Sequence, residues 1–210
     1  GIRAQTLFPF GLFLKKGLYS TEAHLLVSPP IKPLTLRFVD ELVSEGATNA
    51  NSPREIASQV DILFTNLPDS PDVEKVVLGK NGIIEGARAG LIVIDNSTIK
   101  PASARKIAEK LKEKGVFSLD APVSGGDIGA RNATLTIMVG GDADALAKAL
   151  PVLQAMGKAI TLVGDAGAGQ VAKAANQIMV AAQMVAMGEL LVFSKKAGVD
   201  PRKVVDAIKV

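Results

Sequence analysis

The sequence predicts an α/β fold: a parallel sheet with crossover helices that passes into the start of an all-helical domain. Two observations carry this. From residue 52 to residue 163 apolar runs alternate with amphipathic stretches, the rhythm of strands and crossover helices. Past residue 170 the alternation gives way to one long helical pattern.

The elements follow in order. Ser52-Pro53-Arg54-Glu55 reads as a capping box with proline at the first helical position, opening a short helix. Asp61 to Asn66 is a strand that stops at Leu67-Pro68, and Ser70-Pro71 opens the next helix. Leu91 to Asp95 is a second strand. After it, Ala104, Ile107, Ala108 and Leu111 recur at i, i+3, i+4 and i+7, the spacing of a one-sided apolar helix, with Gly115 placed to end it. Val116 to Asp120, Thr134 to Val139 and Ala159 to Val163 read as further strands. A helix from about Asp142 to Met156 turns Leu146, Ala149, Leu150 and Leu153 inward. Val171 to Lys196 reads as one helix stopped by Gly198, and Asp200-Pro201 caps its successor. Met179, Met184 and Met187 read as core filling on that helix. Its uncharged stretch, Ala174 to Gly188, falls short of the roughly 20 residues a membrane span needs, so a buried helix is expected and no membrane partner.

Composition closes several routes. With no Cys, a thiol nucleophile, a disulfide framework and a thiolate zinc site are excluded. The one His, His24, has no nucleophile motif beside it, and no metal site is expected. A net charge of +3 with Lys and Arg spread beside acids, and only 4% aromatic residues, does not suit nucleic acid. Chemistry must come from lysine, carboxylates or a cofactor.

Two motifs meet that requirement. In Asp120-Ala121-Pro122-Val123-Ser124-Gly125-Gly126 the small residues let backbone N–H groups converge on an anion such as a carboxylate. In Gly167 to Gln177, Lys173, Asn176 and Gln177 fall at i, i+3 and i+4 and project from one helix face. Together they suit a small oxyacid. Taken singly each has a plainer reading: a snorkelling lysine, a turn, strand-end acids at Asp95 and Asp120, and Ser97 or Thr98 as caps for the helix near Pro101.

Gly167-Ala168-Gly169-Gln170-Val171-Ala172 also fits G-x-G-x-x-A, the dinucleotide fingerprint. Its context fails, because that fingerprint needs a second strand ending in an acid about 20 residues on. Here the chain continues as helix, so these glycines are expected to shape a joint. Nor can a G-x-G-x-x-G be drawn in residues 1–36, where the glycines are Gly1, Gly11 and Gly17. Pro9, Pro29, Pro30 and Pro33 break strand and helix patterns there. The segment is basic with one acid, Glu22, which also suits a transit peptide.

NLPDSPDVEKVVLGKNGI, VIDNSTIKPASARKIA, LDAPVSGGDIGA, TLTIMVGGD and GAGQVAKAANQ resemble, in order and at compatible spacing, the blocks of the β-hydroxyacid dehydrogenases, the group that includes 3-hydroxyisobutyrate dehydrogenase. The resemblance runs from about Asp40 to Val210. It implies a Rossmann-like doubly wound sheet joined to an all-helical domain, and NAD or NADP as cofactor. Lys173 would be the catalytic lysine, Ser124, Gly125 and Gly126 the substrate-carboxylate cradle, and Asn176 a substrate-binding residue. Leu67, Pro68 and Thr98 would contact the dinucleotide.

The domains expected are an atypical segment 1–36 in place of the first βαβ unit, a nucleotide-binding part 37–165, and a partial helical part 166–210. Met138 is the first methionine, and a disrupted reading frame ahead of residue 37 and a truncated helical domain are the expectation. Asn132-Ala133 stands where many members of the group have a glycine. The phosphogluconate dehydrogenases also resemble the chain, but they carry a histidine between lysine and asparagine where Ala174 and Ala175 stand here.

The activity implied is hydride transfer between a short β-hydroxy acid and its semialdehyde, with Lys173 as general acid and base. The alternatives are an inactive fragment or a binding module of the same fold. A small carboxylate substrate and a homo-oligomer of the full-length protein are the partners expected, and a cytoplasmic location, with a mitochondrial one as the alternative.

Overall fold

The computed structural model describes residues 4–7, 23–26 and 47–208. Among them nine strands form one sheet. Strands β1 (Ala4–Leu7), β2 (Ala23–Leu26), β3 (Ala47–Asn49), β4 (Ile62–Thr65), β5 (Ile92–Asp95) and β6 (Phe117–Asp120) are parallel, in the order β3-β2-β1-β4-β5-β6. That is the order of the doubly wound dinucleotide-binding sheet, in which ligands sit outside the carboxyl ends of the strands. Strand β7 (Val123–Ser124) pairs antiparallel with β8 (Leu135–Gly141), which is antiparallel to β6, and β9 (Gly157–Gly164) adds parallel to β8.

Two expectations are corrected here. Residues 1–36 supply β1 and β2, although prolines were expected to break strand patterns throughout that segment. Pro9, Pro29, Pro30 and Pro33 all lie outside the two strands, so no ladder donor is lost. The rest of that segment, with any turn after β1, lies outside the described residues, as does the boundary at 36 and 37. The second correction is β8, whose direction is reversed because β7 and a short helix, not a crossover helix, connect it to β6.

The core explains why the central strands read as unbroken apolar runs. Leu63 and Val93 enter one cluster with Ile56, Val73, Val77, Ile83 and Leu111. Their neighbours Ile62, Phe64, Ile92 and Ile94 enter another with Leu119, Ile137, Val139 and Leu153. Both faces of β4 and β5 are therefore covered, and period-two alternation becomes a continuous hydrophobic segment. Helices α1 (Pro53–Ala57), α2 (Ser70–Leu78), α3 (Ile83–Gly86) and α4 (Pro101–Lys112) contribute to the first cluster, and α6 (Ala143–Leu153) to the second. Between β7 and β8 lies α5 (Gly126–Arg131).

The expected cap at Ser52 is present, and the structure adds one at Asp142. Ser52 Oγ accepts from the Glu55 N–H at 3.1 Å, and Asp142 Oδ1 accepts from the Ala145 N–H at 2.8 Å.

Helix α7 (Ala168–Lys196) precedes α8 (Pro201–Ile208), and the chain divides into two compact units at Lys173 and Ala174. The second unit has no buried cluster among the described residues, and α8 buries none of its own side chains. Met179, Met184 and Met187, expected as core, are instead 61%, 72% and 45% exposed. Nothing described in that unit covers them. Counted whole, α7 is also long and apolar enough, by length and composition alone, to cross a membrane, which corrects the argument from its shorter uncharged stretch.

Candidate active site

The carboxyl ends of β4, β5 and β6 lie side by side, with Thr65, Asp95 and Asp120 in register. Every candidate residue of the first unit hangs from these ends or from the first turns of α7.

The cradle is held by β7. Val123 pairs with Ile137 and Ser124 with Thr136, so the chain enters the glycine turn in fixed register. Gly125 has φ 131° and Gly126 has φ 60°, conformations that side-chain-bearing residues rarely adopt. A Cβ on Gly126 would meet nothing within 4 Å, so the turn faces open space. Lys173 reaches this point from α7, with Nζ donating to the Val123 carbonyl at 2.7 Å. Ser124 is the next residue. Lys173 and the glycine turn, separate in sequence, are thus neighbours in the structure. Burial lowers the Lys173 pKa from its ordinary 10.5, the direction that favours proton exchange closer to neutrality.

The loops after β4 and β5 form the other side. Asp95 Oδ1 accepts from Thr65 Oγ1 at 2.8 Å and from the Ser97 N–H at 3.1 Å, and Ser97 Oγ also donates to it. Ser97 Oγ in turn accepts from the Leu67 N–H at 2.8 Å. Leu67 packs half-buried against the core, while Pro68 and Thr98 are exposed. Ser97 is therefore a tie between the two loops. The reading of Ser97 or Thr98 as a helix cap is corrected: α4 is preceded by Lys100 and has no side-chain cap. Burial raises the Asp95 pKa against the bonds from Ser97 and Thr65.

The sequence offered Asp120 only as a strand-end acid and Gln170 only as part of the fingerprint lookalike. Asp120 Oδ1 accepts from the Gly167 N–H at 2.6 Å and Oδ2 from the Gln170 N–H at 2.9 Å. The first turn of α7, the fingerprint lookalike, thus receives a carboxylate from the chain itself. Burial raises the Asp120 pKa to about 6, opposed by those two N–H bonds, with the Asp95 charge a smaller cause. Gly140 and Gly169 permit the approach: a Cβ on Gly140 would lie 2.6 Å from Asp120 Oδ1, and one on Gly169 would lie 2.4 Å from the Asp120 carbonyl. The strand-end D and the helical Q were the only signals available.

Asn176 belongs to the second unit, where its Nδ2 donates to Gln177 Oε1 at 3.1 Å. Among the described residues no group of His, Cys, Asp and Glu could hold a metal ion.

A dinucleotide fits this edge in part. Two loops are locked side by side at the carboxyl ends of the sheet, the edge where this fold binds ligands, and Pro68 and Thr98 are exposed there.

Residues 33–164 match the model of the NAD-binding domain of 6-phosphogluconate dehydrogenase, and residues 167–210 match the NAD-binding region of NADP-dependent 3-hydroxyisobutyrate dehydrogenase. The first match ends ahead of Lys173, Ala174 and Ala175. The 2-hydroxy-3-oxopropionate reductase of Escherichia coli is 45% identical over 169 residues, which are 80% of this chain and 58% of that protein. The NAD-dependent L-serine dehydrogenase of Pseudomonas aeruginosa is 42% identical over 171 residues, 81% of this chain and 57% of that one. The chain thus spans under three fifths of the length of these curated relatives. Among solved structures, the Mycobacterium tuberculosis 3-hydroxyisobutyrate dehydrogenase with L-serine superposes with a TM-score of 0.81 at 29% identity, over 99% of this chain and 70% of that one. With the strand order and these matches, the chain belongs to the β-hydroxyacid dehydrogenase family, whose cofactor is NAD or NADP.

Proposed function

We propose that the protein carrying this chain interconverts a short β-hydroxy acid and its semialdehyde, with Lys173 as general acid and base. The observation that carries the reading is the 2.7 Å bond from Lys173 Nζ to the carbonyl of Val123, beside the glycine turn. Leu67, Pro68 and Thr98 would hold the dinucleotide, whose nicotinamide would supply hydride chemistry for the reduction and for its reverse. Lys173 gives its proton to the carbonyl oxygen in reduction and takes the hydroxyl proton in oxidation. Ser124, Gly125 and Gly126 hold the carboxylate, and Asn176 contacts the substrate. Fixing one end while the other meets the ammonium turns binding into orientation and selects short acids.

The same reading takes residues 37–165 as the nucleotide-binding part and 166–210 as the opening of a helical part. Another copy of the protein covers the exposed apolar face of α7, the location is cytoplasmic, and a mitochondrial one is the alternative. For residues 1–210 alone we infer negligible turnover, because no G-x-G-x-x-G stands in residues 1–36.

The test is NAD(P)H oxidation with a panel of short semialdehydes by the whole gene product. Lys173→Ala should lower kcat by ~10²–10⁴-fold, the usual worth of a positioned acid. An unchanged kcat would sink the assignment. Measurable turnover by residues 1–210 alone would overturn the inference of negligible activity.

A further inference from the structure

Gln170 is 1% exposed, although a glutamine brings a polar amide that must be satisfied when buried. Its bonds run to segments far away in sequence. The backbone N–H donates to Asp120 Oδ2 at 2.9 Å. On the side chain, Oε1 accepts from the Ile99 N–H at 3.0 Å, and Nε2 donates to the Ser97 carbonyl at 2.8 Å. The amide therefore grips the loop on either side of Thr98. A Met or Leu of similar volume would fill the same space. Only an amide also pairs a backbone donor and a backbone acceptor of a loop that has no regular ladder of its own.

The other anchors of that loop run to different places. The Ser97 N–H bonds to Asp95, and the Lys100 N–H donates to Ser70 Oγ at 3.1 Å. Neither reaches α7. Gln170 does, and Lys173 stands at i+3 on the same helix, one turn on and on the same side. The path from the Thr98 loop to the ammonium is thus two side-chain hydrogen bonds and a single helical turn.

We propose that Gln170 is a positioning residue: it sets the distance between the Thr98 loop and the Lys173 ammonium, and so holds proton donor and dinucleotide in register. The proposal rests on the reading of Lys173 as proton donor and Thr98 as a dinucleotide contact. Its force comes from geometry, since displacing reacting groups by about 1 Å costs on the order of 10²-fold in rate.

Two variants test it. Gln170→Met keeps the volume and removes both side-chain bonds. Gln170→Glu keeps the acceptor for Ile99 but sets an oxygen against the Ser97 carbonyl, so it grips the loop only while protonated. In residues 1–210, competitive acetylation of amines across a pH series, read at Lys173 by mass spectrometry, gives the titration midpoint of that amine. Gln170→Met should move the midpoint up toward an ordinary lysine. Gln170→Glu should match the parent at low pH and the Met variant at high pH. In the whole gene product, Gln170→Met should lower kcat per folded molecule by ~10–100-fold with KM for the acid changed less than about threefold. A midpoint and a kcat per folded molecule both equal to the parent's would overturn the proposal.

If Gln170→Met does not fold, the parent decides by amide exchange. The Ile99 and Gln170 amides should open together, and Ile99 exchanging far faster than Gln170 would show the grip open in solution. The dehydrogenase reading fails separately, through an unchanged kcat in Lys173→Ala, and in that case the Lys173 midpoint still tests the link.

Discussion

Lys173 on α7 ends on the carbonyl of Val123 on β7, 2.7 Å from Nζ to oxygen, although fifty residues separate them in the chain. The bond places a half-buried ammonium against an uncharged partner, and burial lowers its pKa below 10.5. The charged form is therefore less favourable in the folded state than in the unfolded one. Between the lowered pKa and 10.5 the unfolded chain binds more protons, so stability rises with pH across that window. Urea unfolding of residues 1–210 between pH 8 and 11 should show this rise, and Lys173→Met should flatten it. A parent profile parallel to that of the variant would contradict the burial of the charge.

Asp120 gives the opposite slope. Its pKa is raised from 3.8 to about 6, so the folded state binds the extra proton, and stability is greatest below 3.8 and declines as pH rises toward 6. At ~1.4 kcal/mol per unit the decline is on the order of 3 kcal/mol. Asp120→Asn should remove this share of the slope, leaving that of Asp95, and add a constant loss of ~1–3 kcal/mol, because one of the two N–H groups loses its acceptor. Denaturation at pH 4, 5 and 6 separates the slope from the offset.

Ala133 has φ 53°, a left-handed conformation that costs a residue with a Cβ roughly 1–2 kcal/mol. Ala133→Gly should stabilise the protein by ~0.5–1 kcal/mol, because relief of strain exceeds the entropy glycine adds to the unfolded chain. A melting temperature lower than the parent's would contradict the strained backbone.

Two glycine-to-alanine changes should differ in sign. A Cβ on Gly140 would lie 2.6 Å from Asp120 Oδ1 and 2.7 Å from the Gly169 nitrogen, so Gly140→Ala should cost ~2–4 kcal/mol by forcing α7 away from β6. On Gly188, inside α7, a Cβ would meet nothing within 4 Å. Gly188→Ala should add up to ~1 kcal/mol of helix stability. Thermal melts of the pair, monitored by circular dichroism, check both.

Local chemistry made much of this legible. Ser52 with Glu55, Asp142 and Gly198 mark element ends through contacts within a few residues, so each could be read where it stands. The doubly buried strands around Leu63 and Val93 announced themselves as apolar runs. The reversal of β8 could not be read, since a strand looks the same in either direction. Nor could the bonds of Asp120 and Gln170, because nothing near either residue points to a partner 47 or more positions away. In the candidate site the cradle and the lysine were legible as motifs. What joins them, the carbonyl of Val123, is backbone and leaves no trace in residue identity.

The turn from Gly167 to Ala172 carries the spacing of a phosphate loop, yet its amides already hold an anion of the chain's own making. The same letters thus encode a receptor in one setting and a lock in another, and the difference is whether a neighbouring strand ends in a carboxylate. Read this way, Asp120 works as a tethered ligand at the head of a 29-residue helix. Trimming it to alanine would open a vacancy for free phosphate or sulfate where the chain now binds itself.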